Sequence, residues 1–388
     1  MVFNMKNIEL FLEYNNSDSD SGRVKFKKNK IIIDFGDIDC INGEVLKKII
    51  SCINYSINQY GNIHIPIMIY FKKVSFADKL TFVCLECICY HLIKNKGIKV
   101  SIFGLIKSDI WSEGINSSPL LLLNKKIPDT NSYLKKFKFD IFRKHYRKLV
   151  TYEYSQDEVL SFLFSDLKTF LDFFEPVGSY VDDICETIVE LVGNALSHSM
   201  SDCLLDIDVT NNYKKSGFDN NEYIGINIIV INFSEKFLYS DIQNKISNDI
   251  GLKYKYQSLK KIYKYHKKHF FDSNYSELDF FNLASFQDKI SGRENLYKTG
   301  GTGLTKLIKA LQEKSDSDIC YVLTNKNILH FNKKDLIIDK EDWISFNEGK
   351  SFKYYSPANG IIDKCKVIFP GTAYNLNFVI KINKSKGE

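Results

Sequence analysis

The segment that most restricts how this chain can fold is DDICETIVELVGNALSHS, residues 182–199. Ile184, Ile188, Leu191 and Ala195 recur at helical spacing, so one side of a long helix must face a core. Glu186, Glu190, Asn194 and His198 recur every four residues and form a polar stripe beside it. Many helices carry such a stripe for solubility alone. This one lacks lysine and includes Asn, a poor helix former, which is unusual for a merely solvated face. A carboxylate one turn ahead of a carboxamide can work as a pair. The amide oxygen can ligate Mg²⁺ held by phosphates, while the carboxylate orients or deprotonates a water.

A second element, KTGGTGLTKLIKAL, places Gly300, Gly301 and Gly303 directly before an apolar helix expected over 304–313. Glycines let the backbone approach an anion closely, and a helix N-terminus offers unpaired N–H groups and a positive dipole end. The form is that of a phosphate cradle, to which Lys298 and Lys306 add charge. Glycine-rich loops also serve as plain turns, so the loop alone does not decide the matter.

Around these elements the chain alternates in hydropathy. Strands are expected over 31–35, 65–71 and 100–103, with helices over 43–60 and 77–95 and Gly97 ending the second helix. This β-α-β-α-β order favours a small sheet with helices packed on it. The pattern weakens over 107–136, which places a junction there and divides the chain into residues 1–136 and 137–388. Residues 137–149 are basic and aromatic, and His145 within FRKHYRK reads as a surface residue. Helices follow over 156–174 and 180–199, then strands over 204–210 and 223–233. A long Lys-, Tyr- and Phe-rich segment, 234–298, reads as irregular. The last strands are expected over 318–324, 326–331, 366–369 and 374–382.

A chain of 388 residues exceeds one compact core, and 44% apolar with 26% charged residues is ordinary for a globular protein. The net charge of +6, from 53 basic and 47 acidic side chains, is too small to imply nucleic-acid binding by itself. No stretch approaches the roughly 18 apolar residues that cross a bilayer. Nine dispersed cysteines in a chain without a secretion signal suggest reduced thiols and a cytoplasmic location. Cys84, Cys87 and Cys89 invite a zinc reading, but no second ligand pair stands at zinc spacing, and core packing is expected.

ELVGNALSHS resembles the N-box of the GHKL ATPase superfamily, which includes gyrase-type ATPases, histidine kinases and anti-sigma-factor kinases. TGGTGLTKL resembles its second glycine box, and PGT at 370–372 resembles the Gly-Thr that often precedes the final strand. The resemblance covers roughly residues 150 to 388. It implies an α/β two-layer sandwich that binds ATP with Mg²⁺. Carried over, Glu190 would position or activate water and Asn194 would ligate Mg²⁺. Lys298, Gly300, Gly301, Thr302, Gly303 and Leu304 would wrap the phosphates, and the Thr372 hydroxyl would help bind adenine. His198 falls where sensor-kinase-like members often have His, as either a phosphate contact or a helix contact. The first glycine box departs from the family's Asp-x-Gly-x-Gly. Its place is taken by VINFSEKF, with Asn232 for the aspartate, Ser234 for the first glycine and Lys236 for the second. An Asn oxygen can still accept from the adenine amino group.

The stretch IMIYFKKVSFADKLTFVCLECICYHLIKNKGIKVSIFG is similar to the middle of a STAS domain, an interaction module. Aligned on Asp78, the serine that some STAS domains have phosphorylated is Lys79 here. Residues 253–270 read as one amphipathic helix with packed aromatics and solvated lysines, and alternatively as a binder of single-stranded nucleic acid. The whole implies a STAS-like domain joined to a GHKL-type switch ATPase whose lid, about 234–298, is ordered by nucleotide and read by a protein partner or a second copy. Bacterial regulation or stress and phage-defence signalling suits such an architecture. The alternatives are a serine/threonine protein kinase of the anti-sigma-factor kind and a nucleotide-independent scaffold.

Overall fold

The structure, a computed structural model, describes residues 7–60, 65–105, 117–152, 156–176, 180–213, 222–249, 254–288, 290, 303–314 and 320–382. It is a mixed α/β protein. The front half begins with helix α1 (Ile8–Tyr14), the hairpin β1 (Val24–Lys27) and β2 (Lys30–Asp34), and the short β3 (Cys40–Ile41). Helix α2 (Gly43–Tyr60), β4 (Ile67–Phe76), α3 (Lys79–Lys94) and β5 (Val100–Leu105) follow. β2 and β5 flank β4 in parallel, as right-handed β-α-β connections favour, while β1 runs antiparallel to β2 and β3 pairs with the far end of β4. Asp78 caps α3 by accepting from the Thr81 N–H at 2.7 Å.

The connection holds α4 (Leu120–Leu123) and α5 (Thr130–Lys138). The second half contributes the strands β6 (Phe139–Phe142), β7 (His145–Val150), β8 (Cys203–Tyr213), β9 (Tyr223–Asn232), β10 (Tyr321–His330) and β11 (Ile362–Lys381). They form one antiparallel sheet in the order β10-β11-β9-β8-β7-β6. Its helices are α6 (Gln156–Asp172), α7 (Tyr180–His198), α8 (Ser240–Ser247), α9 (Tyr254–His269), α10 (Glu277–Ala284) and α11 (Gly303–Lys314).

Alternation along the central strands decides the layering. Leu205, Ile207, Val209, Ile226, Ile228 and Val230 join a core with α6, α7 and α11. Leu204, Ile229, Ile231 and Phe233 join the other core, with α1, α2 and α3. The six-stranded sheet therefore carries helices on both faces, and α3 touches β4 and β5 on one side and β9 and β11 on the other. This double burial explains why α3 is apolar nearly all round, with Cys84, Cys87 and Cys89 buried in the core. The division expected after residue 136 falls within α5.

Three readings of the sequence are corrected. Residues 139–150 form the β6–β7 hairpin, and His145 is 1% exposed rather than on the surface. Helix α9 is the one expected over 253–270, but the rest of the described part of 234–298 is not irregular, since it holds α8 and α10, the latter opened by a capping box between Ser276 and Asp279. The breaks expected near 325 and 370–373 lie inside continuous strands. Asn325 with φ 54° sits at register shifts in β10, and Gly371 with φ 92° lets β11 run on past Pro370.

Between the two sheets lies a buried set of charges. Lys79 Nζ is 2.8 Å from Asp206 Oδ1 and 2.9 Å from Asp208 Oδ2. Arg147 Nε donates to Asp206 Oδ2 at 2.5 Å, its Nη2 bonds Glu86, and the guanidinium lies 5.6 Å from the Phe137 ring centroid. His145 places Nε2 3.0 Å from Asp206 and Nδ1 3.0 Å from Asp140. Two carboxylate acceptors require both ring nitrogens to donate, so the residue is an imidazolium. Burial alone would lower its pKa, but Asp206 and both hydrogen bonds raise it above 6.5. Burial would likewise raise the Asp206 pKa, yet Arg147, Lys79 and His145 hold it well below 3.8. Burial does raise that of Glu86, against the opposing pull of Arg147.

Removing one partner from such a cluster strands its counter-charge. Arg147→Met is expected to cost about 3–5 kcal/mol in urea unfolding, and a loss near that of a surface pair, below about 1 kcal/mol, would refute the assignment. The His145 contribution is complete below pH 6.5 and is lost as pH rises through its raised folded value. Stability measured against pH should therefore converge for the native chain and His145→Gln on the alkaline side.

Candidate functional site

Helix α7 brings its apolar residues Ile184, Ile188, Leu191 and Ala195 into the core, as their spacing requires. Glu190 and Asn194 are half-buried on its other flank, with Asn194 about one turn before the helix ends at His198. The side chain of His198 lies outside the described residues. Gly193 lets α6 approach closely, since a Cβ there would meet Leu160 Cδ1 at 3.1 Å.

Helix α11 starts at Gly303, one residue ahead of the expected Leu304, which is half-buried and packs against the same core. Lys306 is 2.8 Å from Glu186, so the first turn of α11 is tied to the polar flank of α7. Both side chains are about half exposed, so the pair contributes orientation more than stability. Lys298, Gly300, Gly301 and Thr302 lie outside the described residues.

The third part of the site is formed by chain segments 140 positions apart. Asn232, the last residue of β9, stands opposite Thr372 of β11 in the antiparallel pairing, and both are buried. Asn232 Nδ2 donates to Ser201 Oγ at 3.3 Å, and no described residue donates to its Oδ1. Ser234 folds its hydroxyl back to accept from the Lys236 N–H at 3.0 Å and to donate to Ser199 O, just past α7, at 3.4 Å. Thr324 of β10 donates to Gly371 O at 2.7 Å and accepts from the Leu238 N–H at 3.3 Å. The end of α7, the end of β9 and the Gly371 bend of β11 thus meet at one place.

Glu190, Asn194, Asn232, Gly303, Leu304 and Thr372 are therefore set on four elements, α7, β9, α11 and β11, each packed against two of the others. Ser201 and Thr324 were not singled out by sequence. Ser201 follows the polar stripe directly, whereas nothing local marks Thr324. Among the described residues no group of three or more His, Cys, Asp or Glu could hold a metal ion. A Mg²⁺ held mainly by phosphates and waters needs only one or two protein oxygens, and Asn194 fits that role. Among the described residues no helix is long and apolar enough to cross a membrane. No family model matches the chain, and no curated protein or solved structure matches it either.

Gly371 is the geometric hinge of this site. A Cβ there would fall 2.4 Å from Asn232 O and 2.9 Å from Ser234 N, with φ at 92°. Gly371→Ala is expected to cost at least about 1–3 kcal/mol and to separate β9 from β11 at Asn232. Amide hydrogen exchange at 232–234 checks this, and unchanged protection would show that the bend tolerates a side chain.

Proposed function

We propose that the chain binds ATP with Mg²⁺ at the meeting of α7, α11 and the β9–β11 pair, and works as a GHKL-type switch ATPase. The observation that carries the reading is the pairing of Asn232 with Thr372 beside the end of the helix that bears Glu190 and Asn194. Asn232 Oδ1 accepts from the adenine amino group, and the Thr372 hydroxyl, its cross-strand neighbour, adds a second polar contact. The N-terminus of α11 faces phosphate through its unpaired N–H groups. Asn194 supplies an amide oxygen to Mg²⁺, which when bound neutralises phosphate charge. Glu190, one turn earlier, orients the attacking water and takes its proton.

Coupling to the front half follows from the same strand end. Asn232 and Phe233 are consecutive and face opposite sides of the sheet. Phe233 packs at a tilt against Phe11 of α1 and Phe369 at centroid distances of 5.6 and 5.1 Å, and its carbonyl accepts from Asn7. A shift of Asn232 on nucleotide is carried directly to α1. The parallel order of β2, β4 and β5 with α2 and α3 supports a STAS-like interaction module, which a protein partner or second copy reads. Lys79, at the place of the phosphorylatable serine, is committed to Asp206 and Asp208.

Calorimetry with ATP–Mg²⁺ and a phosphate-release assay test the proposal. The native chain is expected to bind and slowly hydrolyse ATP. Glu190→Ala should bind with turnover reduced by about 10²-fold or more. Asn194→Ala should lose the Mg²⁺ dependence of binding. Absence of any nucleotide binding would overturn the reading, and phosphate passed to a protein rather than released would replace it with the kinase.

A further inference from the structure

Helix α9 contains six lysines, and from Tyr254 to Phe271 the sequence has no acidic residue. Three of the lysines are neutralised. Lys255 lies 3.8 Å from Asp288, Lys260 pairs with Asp249, and Lys267 lies 3.8 Å from Glu277. The other three, Lys261, Lys264 and Lys268, are exposed and make no ion pair with any described residue. Their spacing of three and four places them in one stripe about 10 Å long.

Tyr265 lies in the same stripe and is 38% exposed. Its ring is 4.5 Å from that of the exposed His269 and 6.1 Å from that of Tyr354, on a loop 89 positions later. Tyr354 is 62% exposed, and the neighbouring Tyr355 is 53% exposed. The loop is rigidly seated. Phe352 packs on Trp343 and Phe280, and its carbonyl accepts from His266 Nε2 at 2.9 Å, while Tyr275 donates to His266 Nδ1. Burial lowers the His266 pKa to about 4, so the ring is neutral and this anchor is kept at neutral pH. Exposed tyrosines on a fixed support beside unpaired lysines offer π-faces and positive charge together.

We propose that this face binds single-stranded nucleic acid. Lys261, Lys264 and Lys268 neutralise successive phosphates, and the Tyr265 and Tyr354 rings stack with unpaired bases. A duplex hides its base faces from such rings. The stripe has no exposed aliphatic residue to insert into a bilayer, and an acidic peptide would leave the rings unused.

Fluorescence anisotropy of the full chain with a labelled oligothymidylate of about fifteen nucleotides tests the proposal. With three phosphates neutralised, log affinity should fall with log salt at a slope of about −2. The triple variant Lys261→Gln/Lys264→Gln/Lys268→Gln should bring that slope close to zero. Tyr265→Ala/Tyr354→Ala should weaken binding by about tenfold or more while leaving the slope in place. All five side chains are exposed, and unchanged thermal melting confirms that each variant is folded. The proposal is overturned if the native chain does not bind at low salt, or if the variants bind as it does. It is equally overturned if a duplex, a polyglutamate peptide or phosphatidylserine vesicles bind as tightly as the single strand.

Discussion

The carboxylate of Asp206 is the group on which the arrangement of the two sheets depends. It is buried, and Lys79, Arg147 and His145 converge on it from two directions. An isolated ion in that position would cost several kcal/mol. Lys79, Arg147 and His145 face the carboxylates of Asp206, Asp208 and Asp140, and Arg147 also reaches Glu86, whose pKa burial raises. Apolar surface alone would let the α1–α3 layer slide over the sheet, because the hydrophobic effect is non-directional. The ion cluster is complete only when the start of α3 stands over β7 and β8, and this fixes one placement among many.

Much of the scaffold was legible because it rests on local patterns. Helix α2 begins at Gly43 and ends at Tyr60 as its periodicity requires, and the bounds of α3, α7 and α11 lie within a residue or two of those expected. The ion cluster was not legible. In LLDIDV the acids Asp206 and Asp208 alternate with apolar residues, the ordinary mark of a strand with one wet face. That face is covered by a second layer whose contributions, Glu86 and Lys79, lie 61 positions from Arg147 and 127 from Asp206. The same cover makes His145 an interior residue, although FRKHYRK reads as surface. A hydropathy pattern records which face is polar and is silent about what is laid on it.

The candidate site shows a similar division. The spacing along α7 placed Glu190 and Asn194 on one flank from sequence alone, and the glycines before α11 located its start. The cross-strand meeting of Asn232 with Thr372 depends on register, which only the assembled sheet supplies. Thr324 belongs with them through its hydrogen bond to Gly371 O, and no neighbour in sequence announces it. In the 234–298 segment the amphipathic period over 253–270 was legible, with Tyr256 and His266 among its buried positions, whereas the eight-residue helices α8 and α10 are too short to show one.

The pairing of α1 with β11 has a consequence for how the molecule is made. Asn15 donates to Ile368 O at 2.7 Å and accepts from the Ile368 N–H, across 353 positions of chain. Phe11 of the same helix rests on Phe233 and Phe369. At about 5–20 residues per second, ribosomal synthesis separates the emergence of these partners by roughly 20 to 70 seconds. For that interval Phe11 lacks Phe369 and Asn15 lacks the Ile368 backbone, and the nascent chain must be kept from associating with its neighbours. The core that holds α1 is complete only once β11 has been made.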